Sequence, residues 1–353
     1  MTHFIALDTH CEFTEMAVLN SRGKLVRRHR CETTIPALAE AIESVRRPRQ
    51  VTFEEGPLAG WLARNLRSHA DQLLVCDPRR NAYVAKEGDK DDPIDAERLA
   101  QLLRGGFIKE VHQVDSLDRS MLKQHVAFYH DRVRERVRQG HQLTALLRRH
   151  GVFTSCSEVL DPERRRELWK QLPRRRVLHE DLDCVLEVYQ LLLHQEEQLR
   201  ARLIQLARKE PPIRRFQEVP GFGWIRAATF YVYIDTPTRF RSKSALHRYC
   251  GIGLERRHSG SGPQRVRLTY GGSRPLKNIL LAAAKTAITQ PGSPLAVKYE
   301  TWTQQQGMNP KVARRNVARH LATTLWSMWK NDTHYDPVKA SRRESTSSLE
   351  LRS

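Results

Sequence analysis

Long apolar runs are missing from this chain of 353 residues. The longest, such as residues 279–284, fall far short of the ~20 needed to cross a bilayer, so a helical membrane protein is excluded. Cysteine is sparse. Its six copies (Cys11, Cys31, Cys76, Cys156, Cys184 and Cys250) are scattered with no Cys-x-x-Cys pair. That spacing argues against a zinc ribbon and against a disulfide framework. The N-terminal stretch MTHFIALDTH reaches an acid at once, with no basic segment leading into an apolar one, and predicts no signal peptide. Acidic residues are also in deficit: 40 Asp+Glu face 60 Lys+Arg, a net charge of +20. Hydrophobic residues make up 39%, enough for a core, so wholesale disorder is excluded. The expectation is a soluble, reduced, cytoplasmic protein of two or three domains with a polyanionic partner, nucleic acid before any other.

Residues 1–114 read as α/β. Phe4-Ile5-Ala6-Leu7 is a short apolar run ending in Asp8, and Met16-Ala17-Val18-Leu19 is a second. The turn Asn20-Ser21-Arg22-Gly23 and a third extended piece complete an antiparallel meander. Residues 35–45 have helical spacing, with Thr34 as N-cap and Pro36 in the first turn. Strands at 51–54 and 73–76 flank a helix over 58–68, and the alternation predicts a mixed sheet covered by helices. Residues 115–210 read as long charged helices. Leu178, Leu182, Val185, Tyr189, Leu192, Leu199, Leu203 and Leu206 follow a 4-3 spacing broken only by Glu196, the pattern of a coiled-coil seam. A helix over 119–150 can supply the partner within the chain, or a second copy can. Residues 211–335 form a basic, mostly helical region, and 336–353 a polar tail expected to be disordered.

Carboxylates occupy unusual places. Asp8 and Glu54 each end a predicted strand, where acids are depleted. An acid beside an apolar run needs a partner, and a divalent cation is one. Asp92 and Asp95, three apart, share a face where Asp92-Pro93-Ile94-Asp95-Ala96 leads into a helix over 96–104. A purely structural account exists for that pair: Asp92 caps the helix and Asp95 complements its dipole. Taken with Asp8 and Glu54, the four acids form the set that two Mg²⁺ ions over a scissile phosphate require. Glu55 and Asp91 are adjacent alternatives.

Over residues 213–289 there are 14 Lys+Arg against Glu218, Asp235 and Glu255. Val219-Pro220-Gly221-Phe222-Gly223 resembles the turn of a helix-hairpin-helix, whose amides hold phosphate, and equally a tight interhelical turn. Further on, Ser259-Gly260-Ser261-Gly262 sits among Arg256, Arg257, Arg265 and Arg267, with Lys277 beyond. Glycine allows close backbone approach to a phosphodiester, and guanidinium groups can stabilise the charge that builds as a serine attacks. A loop that merely contacts DNA phosphates has the same composition.

In their order and spacing these motifs resemble a family of bacterial insertion-sequence transposases with a RuvC-like DEDD domain and a C-terminal serine domain. The family includes bridge-RNA-guided recombinases and Piv-like DNA invertases. Phe4-Ile5-Ala6-Leu7-Asp8-Thr9 is similar to its first strand, and Phe53-Glu54 to its second acidic motif. Lys90-Asp91-Asp92-Pro93-Ile94-Asp95-Ala96 is similar to its Lys-Thr-Asp-Arg-x-Asp-Ala, and Ser259-Gly260-Ser261-Gly262 to its Ser-Gly-Ser-Ser. The resemblance implies an RNase H/RuvC-like mixed sheet, a coiled-coil arm and a helical serine domain. It implies that Asp8, Glu54, Asp92 and Asp95 hold Mg²⁺, and that Ser259 forms a covalent phosphoserine link to DNA. It further implies donor and target DNA, a noncoding bridge RNA, and dimers that join as a tetramer in a bacterial, nucleoid-associated setting. The chain departs from the family where Asp91 replaces Thr, Pro93 replaces Arg and Gly262 replaces the last serine, leaving Ser261 as a rival to Ser259. Glu-Glu-Gly-Pro stands where Glu-Ala-Thr-Gly is common, which leaves Glu54 and Glu55 in competition.

Two other functions suit parts of this pattern. A RuvC-like nuclease would use metal-activated water and leave free ends. A non-catalytic nucleic-acid-binding protein would need only the charge, and its salt-sensitive binding would be indifferent to Asp8→Ala.

Overall fold

The structure, a computed structural model, describes residues 1–78, 92–257, 265–269 and 271–338. For Asp92, Pro93 and residues 255–257 and 265–268 it describes the backbone and not the side chains. Asp91, Ser259, Ser261 and residues 339–353 of the tail lie outside the described residues. The chain divides into two compact units, Met1–Leu117 and Asp118–Ser353.

The first unit is built on a five-stranded sheet in the order β3-β2-β1-β4-β5. β1 (His3–Thr9), β2 (Phe13–Leu19) and β3 (Leu25–Glu32) form the expected antiparallel meander. β4 (Arg49–Glu54) lies parallel to β1, and β5 (Gln72–Cys76) lies parallel to β4. A parallel neighbour needs a crossover, and α1 (Ile35–Glu43) and α2 (Ala59–Leu66) supply two. Thr34 caps α1 by accepting from the Ala37 amide, with Pro36 in the first turn, as its sequence requires. One sheet face (Ile5, Leu7, Val51, Phe53, Val75) packs on α1 and α2 through Leu38, Ile42, Leu62 and Leu66. The other face (Ala6, Ala17, Leu19, Cys76) packs on α3 (Asp92–Arg104) through Ala96, Leu99 and Ala100. Small residues on that face let the helix lie close. The described part of α3 already includes Asp92, where the sequence predicts the helix from Ala96, so Asp92 and Asp95 both stand within the helix at its N-terminal side.

In the second unit, α4 (Leu117–Arg149) and α7 (Arg176–Ala207) run antiparallel. His125 Nε2 bonds the Leu199 carbonyl at 3.1 Å, and Arg136 pairs with Glu196. Near the far end, Leu143 and Leu147 pack with Leu182, Val185 and Leu186. The apolar seam of α7 is thus covered by α4 of the same chain: a helical hairpin, with Glu196, the seam's one acid, neutralised by Arg136. The connection holds α5 (Cys156–Leu160), opened by a Ser155–Glu158 capping box, and α6 (Pro162–Lys170). Past Pro211-Pro212 comes a helical bundle: α8 (Pro211–Phe216), α9 (Trp224–Ile234), α10 (Lys243–Tyr249), α11 (Arg274–Thr289), α12 (Pro294–Glu300) and α13 (Pro310–Asn331). The α9 helix is apolar nearly all round because it is the centre of that bundle, buried among Phe216, Leu280, Ala284 and Leu325.

Gly221 explains the Pro-Gly-x-Gly turn. Its φ is +83°, and a Cβ there would lie 2.3 Å from the Ala283 carbonyl oxygen of α11. Its own carbonyl accepts from Arg226 Nη1 at 2.6 Å. The turn is a packed interhelical joint, a geometry that both readings of it share.

Candidate active site

The register of the sheet builds the acidic end of the first unit. Leu7 pairs with Phe53 across the parallel β1–β4 ladder, and both point into the α1/α2 core. The next residues on each strand, Asp8 and Glu54, therefore leave on the opposite face, side by side at the strand ends. Glu55 is the first residue beyond β4, and its amide bonds the Cys76 carbonyl at 2.8 Å. The helix on this face has a defined direction. Gln101 Nε2 donates to the Gly23 carbonyl at 3.1 Å, Arg104 packs against Gly23, and Glu97 pairs with Arg28 at 2.7 Å. Gly23 lies in the β2–β3 turn, at the sheet end away from Asp8. The C-terminus of α3 is therefore there, and its N-terminus, with Asp92 and Asp95, is at the end of Asp8 and Glu54. Asp95 Oδ1 accepts from Arg98 Nη1 at 3.3 Å.

Two further side chains, Glu15 and His10, join Asp8, neither of them singled out in the sequence. Glu15 on β2 is its cross-strand partner. Directly opposed residues share a face, so this carboxylate stands beside Asp8, with its side chain 12% exposed and Arg30 Nε 3.6 Å from Oε1. His10 Nε2 lies 3.4 Å from Asp8 Oδ2. The His10 ring stacks on Phe13 at 4.7 Å, and the Arg30 guanidinium lies 3.7 Å from the Phe13 ring centroid. Burial, then the Glu15 charge, pushes the nearby Cys31 thiol up, which suppresses its thiolate. The signal for Glu15 was an acid inside an apolar strand, the argument that singled out Asp8.

Among the described side chains no three His, Cys, Asp or Glu converge on one metal-sized point, and the side chain of Asp92 is outside that description. The donor chemistry nevertheless fits a hard cation. Mg²⁺ takes one or two carboxylates, keeps waters and completes its shell with substrate phosphate. Adjacent carboxylates at two strand ends, facing a helix N-terminus that carries two more, offer that set.

The second unit carries the basic residues. β6 (Leu254–Arg257) and β7 (Arg265–Leu268) form an antiparallel hairpin that the glycine-rich sequence concealed. Arg257 pairs in register with Arg265, and Glu255 with Arg267. Ser259 and Ser261 fall between these strands, outside the described residues. The hairpin base is tightly packed. Gly272, at φ +92°, approaches Gly251 so closely that a Cβ would lie 2.6 Å from the Gly251 nitrogen. Lys277 is exposed on the first turn of α11, its aliphatic stem against Gly251. Cys250, directly before this base, is no rival nucleophile, because burial pushes its thiol up to about 12.

The sheet order and the acidic strand ends are compatible with an RNase H-like phosphoryl-transfer domain. Residues 5–152 match a transposase family, that of the DEDD IS110 transposases, and residues 213–299 match one described as the transposase IS116/IS110/IS902 family. The chain is 23% identical over 277 residues to y4pF/y4sB of Sinorhizobium fredii, a protein that bears a transposase name, covering 77% of this chain and 70% of that one. It is also 24% identical over 142 residues to the 43.6 kDa protein of insertion element IS110 in Streptomyces coelicolor, covering 40% of this chain and 35% of that one. The protein is a transposase, an enzyme acting on DNA. Within that class it belongs to the IS110 family of insertion-sequence transposases. A DEDD domain of this kind implies dependence on a divalent metal. Among the described residues no helix is long and apolar enough to cross a membrane.

Proposed function

We propose that this transposase cuts and rejoins DNA by a covalent serine route supported by a metal-bound carboxylate site. The observation that carries the reading is the placement of Asp8 and Glu54 on adjacent parallel strand ends, with the Asp92/Asp95 end of α3 directed toward them. Asp8, Glu54, Asp92 and Asp95 are the residues that would hold Mg²⁺. When bound there, the cations neutralise charge on the phosphate undergoing transfer.

The chain's own chemistry runs through Ser259. Its oxygen bonds to phosphorus, its proton leaves to a base, and the P–O bond to the departing deoxyribose breaks as that oxygen takes up a proton, so none is gained or lost overall. The product is a phosphoserine ester and a free DNA hydroxyl. The reverse attack by a DNA hydroxyl restores serine and joins new strands, so bond energy is conserved. Arg256, Arg257, Arg265 and Arg267 flank the serine in sequence and would stabilise the charge on the equatorial oxygens; Lys277 adds charge at the hairpin base. The work divides among a catalytic segment at 1–114, a helical segment at 115–210, a serine segment at 211–335 and a tail at 336–353. A noncoding bridge RNA pairing with donor and target would choose the DNA, and dimers joining as a tetramer would bring acidic and serine segments together.

The test is a trapping assay with purified protein, Mg²⁺, RNA from the element's flank and end-labelled DNA carrying the element junction, run on a denaturing gel. A labelled protein band that vanishes in Ser259→Ala supports the covalent route. Cleaved DNA without adduct, formed equally by Ser259→Ala, overturns it in favour of a metal-dependent nuclease.

A further inference from the structure

The connection between the hairpin helices contains a cleft of about 540 Å³ that the carboxylates and the serine loop leave unused. It lies within residues 165–183, outside both family matches. Two arginine triplets, Arg164-Arg165-Arg166 and Arg174-Arg175-Arg176, bracket the apolar residues that anchor it. Leu168 and Leu172 are buried against Leu143, Leu147 and Leu182, and Trp169 packs on the same cluster while half-buried. One side of the indole is thereby held by core, and the ring stands as a fixed wall of the cleft.

The charges around that ring are compensated only in part. Arg164 pairs with Glu167 at 2.7 Å and Arg176 with Glu180 at 2.6 Å, so these two triplet members are neutralised locally. Arg166, Lys170 and Arg174, which line the cleft, make no ion pair among the described residues, while Arg165 donates to the Val159 carbonyl at 3.4 Å and is partly offset by the charge of Asp161. Asp183 is the single carboxylate on the wall. Four cations against one acid, around a rigid aromatic, select an anion that also carries a flat ring. The volume is that of a small-ligand site, enough for one nucleotide and too confined for a stacked duplex.

We propose that this cleft binds single-stranded nucleic acid, with one base stacked on Trp169 and the flanking phosphates held by Arg166, Lys170 and Arg174. Aromatic stacking beside a cationic track is how single strands are held without a sequence code. The site does not depend on serine or carboxylate chemistry, and its test reads contact, not strand transfer.

The experiment uses the full chain with two 20-nucleotide probes, an RNA of uridines and a DNA of thymidines, each carrying one 5-iodouracil for photocrosslinking, followed by peptide mapping. The expected result is an adduct on the peptide containing Trp169. It should fall by about ten-fold in the Arg166→Glu/Arg174→Glu protein and in Trp169→Leu, and persist in Trp169→Phe. Adducts in residues 213–299 should be unchanged, which controls for folding. Crosslinking by the RNA probe alone assigns the site to an RNA partner, by the DNA probe alone to a displaced DNA strand; both support the site. No adduct at Trp169 with either probe, or one that survives charge reversal, overturns the proposal. So does loss of the adduct to millimolar pyrophosphate at constant ionic strength, which would mark a small-anion site.

Discussion

Glu15 stands directly across the β1–β2 ladder from Asp8, and its carboxylate is the more buried of the two. Arg30 lies 3.6 Å away and offsets its charge only in part, since that arginine is 61% exposed at its side chain. A buried negative charge beside a strand-end acid deepens the local potential that a divalent cation meets. Glu15→Gln keeps the shape and removes the charge. It should raise the Mg²⁺ concentration for half-maximal strand transfer by about 10-fold, while DNA binding without metal stays unchanged. An unaltered metal requirement would leave Glu15 with a packing role.

Replacing Asp8, Glu54 or Asp95 by Ala should abolish strand exchange and leave nucleic-acid binding within a few-fold, because binding rests on the basic residues. Each variant is checked by a strand-transfer assay beside a filter-binding titration. Wild-type activity in Asp95→Ala would remove that residue from the site; wild-type activity in Glu54→Ala together with loss in Glu55→Ala would move the second acid by one position.

The helix-hairpin seam makes a distinct prediction. Leu203 is fully buried in a cluster with Val126 and Ile213 of its own chain. Leu203→Ala should cost about 2–5 kcal/mol, seen as a fall in denaturation midpoint that does not vary with protein concentration. A loss that shrinks at high concentration would mean that a second copy covers this position.

Gly221→Ala combines two penalties: a side chain at φ +83° and a Cβ driven into the Ala283 carbonyl. The left-handed conformation costs roughly 1–2 kcal/mol and overpacking about 1–3 kcal/mol, so urea unfolding should show a loss of about 2–5 kcal/mol. Stability within 0.5 kcal/mol of wild type, by the scale of neutral surface changes, would contradict the close approach.

His130 should make the second unit sensitive to acid. Burial, then the charge of Arg134, holds its imidazole below the ordinary histidine range, with Asp131 acting the other way. Its Nε2 lies 2.9 Å from Thr229 Oγ1, and that hydroxyl donates to the Ile225 carbonyl at 2.7 Å, so Nε2 carries the proton of the neutral ring. The folded protein thus binds this proton less readily than the unfolded chain. Stability is full above the unfolded value of about 6.5 and falls as pH drops toward the lower folded value. Thermal melts from pH 7.5 to 5 should show that fall, and His130→Gln should flatten it. Equal slopes in both proteins would place the acid sensitivity elsewhere.

Much of the fold was legible because local patterns carried it. The short apolar runs and the Asn20–Gly23 turn, the Thr34 cap and the apolar residues near Val51 and Val75 were enough to place the meander and the mixed sheet. The β6–β7 hairpin was not legible, since Leu254-Glu255-Arg256-Arg257 and Arg265-Val266-Arg267-Leu268 carry too few apolar residues to show a strand period, and the glycines around them read as loop. The seam on α7 was visible as a 4-3 repeat, but a repeat names a face and not the helix that covers it. Glu15 carried the same signal as Asp8, an acid in an apolar strand, but only the ladder shows that the two are neighbours.

By itself the sequence determined the surplus of positive charge, the placement of Asp8 and Glu54 at strand ends, and the 4-3 seam over residues 178–206, since each is a property of neighbours along the chain. Only the tertiary structure decided that Asp8 and Glu54 share a face, that α3 turns its acidic end toward them, and that α4 covers the α7 seam. Those are contacts between residues tens of positions apart, set by strand register and close packing, which no local spacing encodes.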